Sequence, residues 1–343
     1  MLQFTKSFLI AILFTFPFIL GACGNEEAAD SEAETDTENE QDQEVTVMLD
    51  WFPNTNHTGL YAALENGYYE EQGLDVEIVQ PGEGGSAGQI VASGKADFGV
   101  SYQEGVTQAR SAGIPLVSIA AVIQHNTSAF ASLKEESITT PKDFEGKRYG
   151  GWGAPMEEAV LKAVMKADDA DFSKVDMVTL GATDFFKSIG RDADFEWIYY
   201  GWDGVEAERQ GIELNTIMLN DLDQALDYYT PVLVTNEDHI ENNPELVEKF
   251  MDATSKGYEY AIDNPEKAAD ILIKHAPELN EELVKKSQQW LSPRYQDDAE
   301  QWGVQEDDVW KRFADWMHER ELIEENIDPE AAFTNEFLPG NGK

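Results

Sequence analysis

The chain has 343 residues, 67 of them acidic against 24 basic, for a formal net charge of −43. That length exceeds what one compact core usually organises and favours two domains of ordinary size. Such an acid excess is a poor match for nucleic acid, whose phosphates call for clustered Lys and Arg. A single cysteine, Cys23, excludes an internal disulfide and a zinc site built on several thiolates.

At the start, Lys6 precedes the apolar run Phe8–Leu20 and then the small residues of LGAC, Leu20–Cys23. Residues 1–22 read as a secretory signal, too short for a membrane span. The tetrad resembles the bacterial lipobox. That resemblance implies that Cys23 is lipidated, becomes the mature N-terminus and holds the protein on the outer face of the cell membrane. Behind it, residues 24–44 carry ten acids, no base and no aromatic side chain. They cannot bury enough apolar area to offset chain entropy, so an extended, self-repelling tether is expected over residues 23–44. The 57 acidic and 23 basic residues that follow leave the folded part acidic too, as a solvated surface.

From Val45 apolar residues alternate until Pro53, the pattern of a strand that ends in a loop. The loop gathers Asp50, Trp51, Asn54, Asn56, His57 and Tyr61. Leu60, Ala63, Leu64 and Tyr68 then keep helical spacing, with Gly73 placed for a left-handed cap. Residues 74–80 are a second strand. A Gly-rich turn, a short helix from about Ala87 to Ser93 and a strand at Asp97–Val100 follow. This βαβαβ order predicts a parallel, doubly wound sheet with its loops at the carboxyl edge. Gly105–Ala112 reads as helix, 115–124 as an apolar strand, and a further helix begins near Pro155. Short strands are expected within 176–181, 194–200, 215–220 and 230–236. The last third is helical, with three- and four-residue apolar spacing in 244–263, 265–277, 281–292 and 308–323 and several prolines in first turns.

The blocks GYYEEQGLDVEIV, GSAGQIVASGKADFGVSY, AGIPLVSIAAV and ITTPKDFEGKRYGGWGAP stand in an order and spacing that resemble the substrate-binding lipoproteins of ABC importers. They are most similar to the group related to the yeast thiamine-pyrimidine synthase, and DWFPNTNHTGLYAA resembles the members that bind formylaminopyrimidine, a thiamine-salvage intermediate. The resemblance spans Val45 to about Leu322. It implies a periplasmic-binding-protein-like α/β fold of two doubly wound lobes, 45–128 plus 235–343 and 129–234, with a ligand cleft and two hinge crossings. It also implies a permease and an ATPase as partners, a small aminopyrimidine as ligand, a monomer, and no catalysis.

Four segments would then converge on the cleft: Asp50–Tyr61, Ser101–Glu104, Gly150–Glu158 and Phe195–Gly204. They bring Trp51, Tyr61, Tyr102, Trp152, Trp197, Tyr199, Tyr200 and Trp202, and a flat ring gains about 0.5–1.5 kcal/mol per aromatic contact beyond area burial. Trp197 and Tyr199 alternate along a strand, as core residues also do. An aminopyrimidine offers amino hydrogens and a ring nitrogen, so a coplanar carboxylate suits it, at roughly 1.5–3 kcal/mol for a charge-assisted bond. Asp50, Glu104, Glu157, Glu158 and Asp203 are available. Trp152, Gly153 and Pro155 are expected at the ligand, and Glu157, which follows them, is expected to meet the ring or else to cap its own helix. Asn54 and His57 offer donors and acceptors. In the yeast synthase a histidine of this neighbourhood takes part in making the pyrimidine, but that enzyme also depends on a cysteine-rich iron-binding segment, and no cysteine follows Cys23 here. A ligand-contacting or loop-bracing His57, with no metal and no cofactor, is therefore expected. The Gly-rich turn before a helix leaves a second class open, a sulfonate or other oxyanion, though Glu83 lies in the turn and no cation comes before Lys95.

Overall fold

The computed structural model describes residues 42–82, 86–181 and 183–340. The signal, the lipidation site at Cys23 and all but the end of the acidic tether lie outside the described residues. Among these residues no helix is long and apolar enough to cross a membrane.

In chain order, β1 (Gln43–Met48), α1 (Thr58–Glu65), β2 (Leu74–Val79), α2 (Ala87–Ala92), β3 (Phe98–Ser101), α3 (Gln103–Ser111) and β4 (Leu116–Ala121) come first. Then follow β5 (Ser128–Leu133), β6 (Arg148–Gly151), α4 (Pro155–Ala167), β7 (Asp176–Thr179), α5 (Phe185–Ser188), β8 (Phe195–Tyr199), α6 (Val205–Gln210), β9 (Leu214–Met218) and α7 (Leu219–Leu222). The chain closes with β10 (Val232–Asn236), α8 (Glu237–Asn242), α9 (Pro244–Asp263), α10 (Pro265–His275), α11 (Glu281–Gln296), α12 (Asp307–Glu319) and α13 (Pro329–Ala332).

The strands build two five-stranded mixed sheets, ordered β2-β1-β3-β10-β4 and β7-β6-β8-β5-β9. This is the expected two-sheet α/β architecture. The tether was expected to run to Glu44, but Gln43 and Glu44 already pair with Leu74 and Asp75. The chain also returns to the first sheet at Val232, three residues before the expected Thr235, because β10 pairs antiparallel with both β3 and β4. Two crossings therefore join the sheets, 122–127 and 219–231.

Apolar residues explain the layers. Val45 and Val47 of β1, with Leu49 just beyond it, alternate inward and meet Leu60, Phe250 and Tyr258 in one buried cluster. α1 is buried nearly all round, from Thr58 through Ala63, because it lies beneath α9 and α10. Gly67, not Gly73, takes the left-handed conformation just beyond α1; Gly73 caps the separate 3-10 turn Glu70–Gln72. In the second sheet Phe130, Phe195 and Trp197 pack on Val160, Leu161 and Val164 of α4.

α12 was expected to belong to the first lobe, and it serves both cores. Trp310 packs with Val91, Leu116 and Val234, whereas Phe313, Trp316 and Met317 pack with the cluster of the second sheet.

Candidate functional site

Parallel strands of both sheets end at edges that meet. Tyr199, at the end of β8, lies within electrostatic reach of Asp50, Tyr102 and Glu104 from the first sheet, and its phenol bonds Thr230 in the second crossing. Six large apolar or aromatic side chains are well exposed among the described residues, and five of them, Trp51, Phe52, Tyr102, Trp152 and Tyr199, sit at these edges. Folding normally leaves such groups scattered, so their concentration here makes these edges the candidate ligand surface.

Glu104 stands in the first turn of α3, directly after β3. Burial raises its carboxyl from the ordinary 4.5 to about 7, only partly offset by a hydrogen bond from Tyr228. Tyr228 is itself fully buried and also bonds Asn126 of the first crossing. The phenol of Tyr102 is pushed up to about 12 by burial and then by the charges of Glu104 and Asp50. An acid whose charge is this poorly compensated, lying among aromatic side chains, suits a ligand that supplies hydrogen-bond donors.

The polar loop after β1 is mostly self-satisfied. His57 is fully buried; its Nδ1 accepts from the Asn54 amide at 3.2 Å, so its Nε2–H donates to Asp50 Oδ1 at 2.7 Å. The Asn54 side chain accepts from the Asn56 amide at 2.9 Å and donates to the Phe52 carbonyl at 3.0 Å. Both residues thus brace the loop from within, and of the two expected roles for His57 the bracing one fits its burial. Asp50 stays partly exposed at the edge with Trp51. Tyr61, expected to line the cleft, is buried in the first core, with its ring 5.3 Å from that of His275 on α10. Tyr61 is on the side of α1 that meets α10.

Glu157 is likewise spent inside the protein. Its Oε1 accepts from the Tyr149 hydroxyl at 2.7 Å and the Trp152 amide at 3.1 Å; its Oε2 accepts from the amides of Gly153 and Ala154 at 2.7 and 2.8 Å. Of the two expected roles this is the helix cap, and the ring-facing role is corrected: no lone pair is left over, and the carboxylate is buried. The cap shapes the loop. A Cβ on Gly151 would lie 2.1 Å from Glu157 Oε1, and Gly153 has φ +93°, so only glycines allow the carboxylate this close. Pro155 opens α4 at the position where its missing N–H costs nothing. The loop presents Trp152 outward, edge-on to Trp197 at 5.6 Å.

From 195 to 204 the residues diverge. Trp197 is nearly buried against Phe130, at 5.7 Å, and Tyr199 reaches the edge. Tyr200 and Trp202, both expected at the ligand, turn toward α11 instead. Tyr200 packs on Trp290 at 5.4 Å and donates to Glu208, and Trp202 packs on the first core. The cause is the turn of π-helix at Tyr200–Gly204, which rotates successive side chains away from the strand's alternation. The same turn brings the Gly201 carbonyl to the Ser287 hydroxyl, which also bonds Thr55 at 2.6 Å, so the two halves touch through α11. Asp203 accepts from the Tyr199 amide at 3.3 Å, and burial raises its carboxyl to about 6.

Sequence reasoning missed Tyr228, Thr230, Asn126 and Ser128. All four lie in or beside the crossings, where the polar stretches 124–128 and 227–230 border apolar strands, and that change of composition was the available signal.

The NMT1/THI5-like family matches residues 54–268 of this chain. The chain belongs to that family. It is 32% identical, over 96% of its own length and 99% of the relative's, to the formylaminopyrimidine-binding protein of Halalkalibacterium halodurans. It is also 25% identical, over 86% of its length and 92% of the relative's, to the 4-amino-5-hydroxymethyl-2-methylpyrimidine phosphate synthase of Legionella pneumophila. The fold is similar to that of the ligand-binding component of an ABC-type import system from Staphylococcus aureus, with a TM-score of 0.67 at 12% identity, covering 87% of this chain and 99% of that one. The alkanesulfonate-binding protein of Xanthomonas axonopodis is similar at a TM-score of 0.63 and 13% identity, over 85% and 98%. The periplasmic-binding-protein fold is therefore the fold of this chain.

Proposed function

We propose that this chain is the extracytoplasmic, lipid-anchored substrate-binding component of an ABC importer, and that it carries an aminopyrimidine of the formylaminopyrimidine type to its permease. The observation that carries this reading is Glu104, a poorly compensated carboxyl at the junction of the two sheets, among Tyr102, Tyr199 and Tyr228. A 4-aminopyrimidine presents an amino group beside a ring nitrogen, and a carboxyl group can pair with both in one plane. Exposed Trp51, Phe52 and Trp152 supply faces for the ring.

Family membership includes both carriers and synthases, and the placement of His57 favours a carrier. A histidine with no exposed surface and both ring nitrogens engaged by the protein has no lone pair or proton to offer a reactant. Binding followed by opening at the permease then constitutes the whole cycle, without a cofactor. The described edge residues named above include no Lys or Arg, which disfavours a sulfonate.

Calorimetric titration of the purified protein with formylaminopyrimidine, its hydroxymethyl analogue, thiamine and an alkanesulfonate tests the reading. The two simple aminopyrimidines are expected to bind. Binding of the sulfonate alone would overturn the assignment.

A further inference from the structure

Beneath the exposed edge of the second sheet lie two polar atoms that the protein leaves without partners. The Ser128 hydroxyl and the Trp197 indole N–H are both buried, and neither has a hydrogen bond among the described residues. Native proteins rarely leave such groups unpaired unless something else completes them.

Register fixes where they are. Ser128 pairs with Tyr199 and Phe130 with Trp197 across β5 and β8. Directly paired residues project to the same face, so Ser128 stands beside Tyr199 and diagonal to Trp197. Tyr199 is exposed at the edge, and Trp152, also exposed, rests edge-on against Trp197. Both orphan atoms therefore lie one layer below the aromatic side chains of the candidate site. The Ser128 backbone is held by its amide, which donates to Asn126 Oδ1 at 2.8 Å. An indole N–H only donates, and a hydroxyl donates or accepts, so a single group that satisfies both must be an acceptor.

We propose that Ser128 and Trp197 form a subsite for a carbonyl oxygen, and that it receives the formyl oxygen of the ligand while Glu104 reads the ring. This rests on the aminopyrimidine reading and adds to it the reason for preferring a formylated ligand over its relatives. The free amine is a poor comparator because it is charged. The neutral hydroxymethyl aminopyrimidine keeps the ring and lacks the carbonyl.

The test is calorimetry of the full protein, wild type and Ser128→Ala, with formylaminopyrimidine and with the hydroxymethyl compound, supported by Trp197→Phe. Wild type is expected to prefer the formyl ligand by about tenfold or more, the scale of one or two neutral hydrogen bonds. Ser128→Ala is expected to cut that preference several-fold while leaving affinity for the hydroxymethyl compound within about twofold. Because Trp197 is also a core residue, thermal denaturation accompanies its variant, and Ser128→Ala decides the matter if Trp197→Phe does not fold. Equal wild-type affinity for the two compounds, or an undiminished preference in Ser128→Ala, would overturn the subsite alone. Binding of neither pyrimidine would overturn the aminopyrimidine reading as well.

Discussion

The starts of α3 and α4 pose the same local problem and solve it differently. Each helix begins just after a parallel strand, at the edge where the sheets meet, and each carries a glutamate in its first turn. Glu157 collects four donors, three amides and a phenol, and disappears into the structure. Glu104 receives one phenol, and its carboxyl is raised to about 7 by burial. Position at a helix start and at a sheet edge therefore does not mark a ligand-reading carboxylate. What separates the two is the number of donors the protein itself supplies, and the proposed ligand role of Glu104 rests on that difference.

The largest expected effect comes from erasing the satisfied member of the pair. Glu157→Ala takes the acceptor from the buried Tyr149 hydroxyl and from three amides that shape the Trp152 loop, and should lower stability by about 3 kcal/mol, read as a fall in denaturation midpoint. Glu104→Ala should do the reverse: the midpoint holds or rises, while affinity for an aminopyrimidine drops by a charge-assisted bond's worth, about 1.5–3 kcal/mol, or tenfold to more than a hundredfold. If both variants changed stability alone, the contrast between the two glutamates would be false.

A subtler test uses protons. The Glu104 carboxyl is raised from 4.5 to about 7, so the folded protein retains its proton longer than the unfolded chain. The associated cost to stability grows as pH rises from about 4.5 to 7 and is constant above. Glu104→Gln should therefore raise the melting temperature at pH 8 and leave it unchanged at pH 4. A carboxyl and a ring nitrogen that share one proton also bind best while the pair retains it. Aminopyrimidine affinity should fall above pH 7 in wild type and flatten in Glu104→Gln, whose amide mimics the neutral acid.

The smallest effect concerns the hinge. His125, in the first crossing, meets Asp227 of the second at 2.7 Å and Asp298 at 3.1 Å; Asp227 chiefly, against some burial, raises its imidazole from 6.5 to about 9. Its contribution is full below about pH 6.5 and is lost as pH rises through 9. The group is half exposed and screened, so a shallow decline in melting temperature across that window is expected, absent in His125→Ala.

Much of this architecture was legible in the chain. Apolar alternation located β2, β3 and β7–β10 to within two residues and missed β5 (Ser128–Leu133), and the long amphipathic helix at Pro244–Asp263 stood at the bounds its proline and its periodicity indicated. Such signals are local, and local signals survive folding. The loop after β1 was legible as polar but not as inward-turned, because the partners of Asn54 and His57 in a tight turn are set by a backbone conformation the residue types do not specify. Tyr61 was misplaced for a related reason: a helix buried on all sides gives no apolar stripe from which to read a facing. The pairing of Tyr228 with Glu104 was illegible, since the two meet only after more than a hundred residues of chain have crossed to the second sheet and returned.

A crystal structure of the protein with formylaminopyrimidine measures directly where the ring sits. It should show the pyrimidine between the two sheet edges, its amino group and adjacent ring nitrogen within hydrogen-bond distance of the Glu104 carboxyl. A pyrimidine bound with Glu104 still bonded only to Tyr228, or seated elsewhere on the molecule, would contradict that placement.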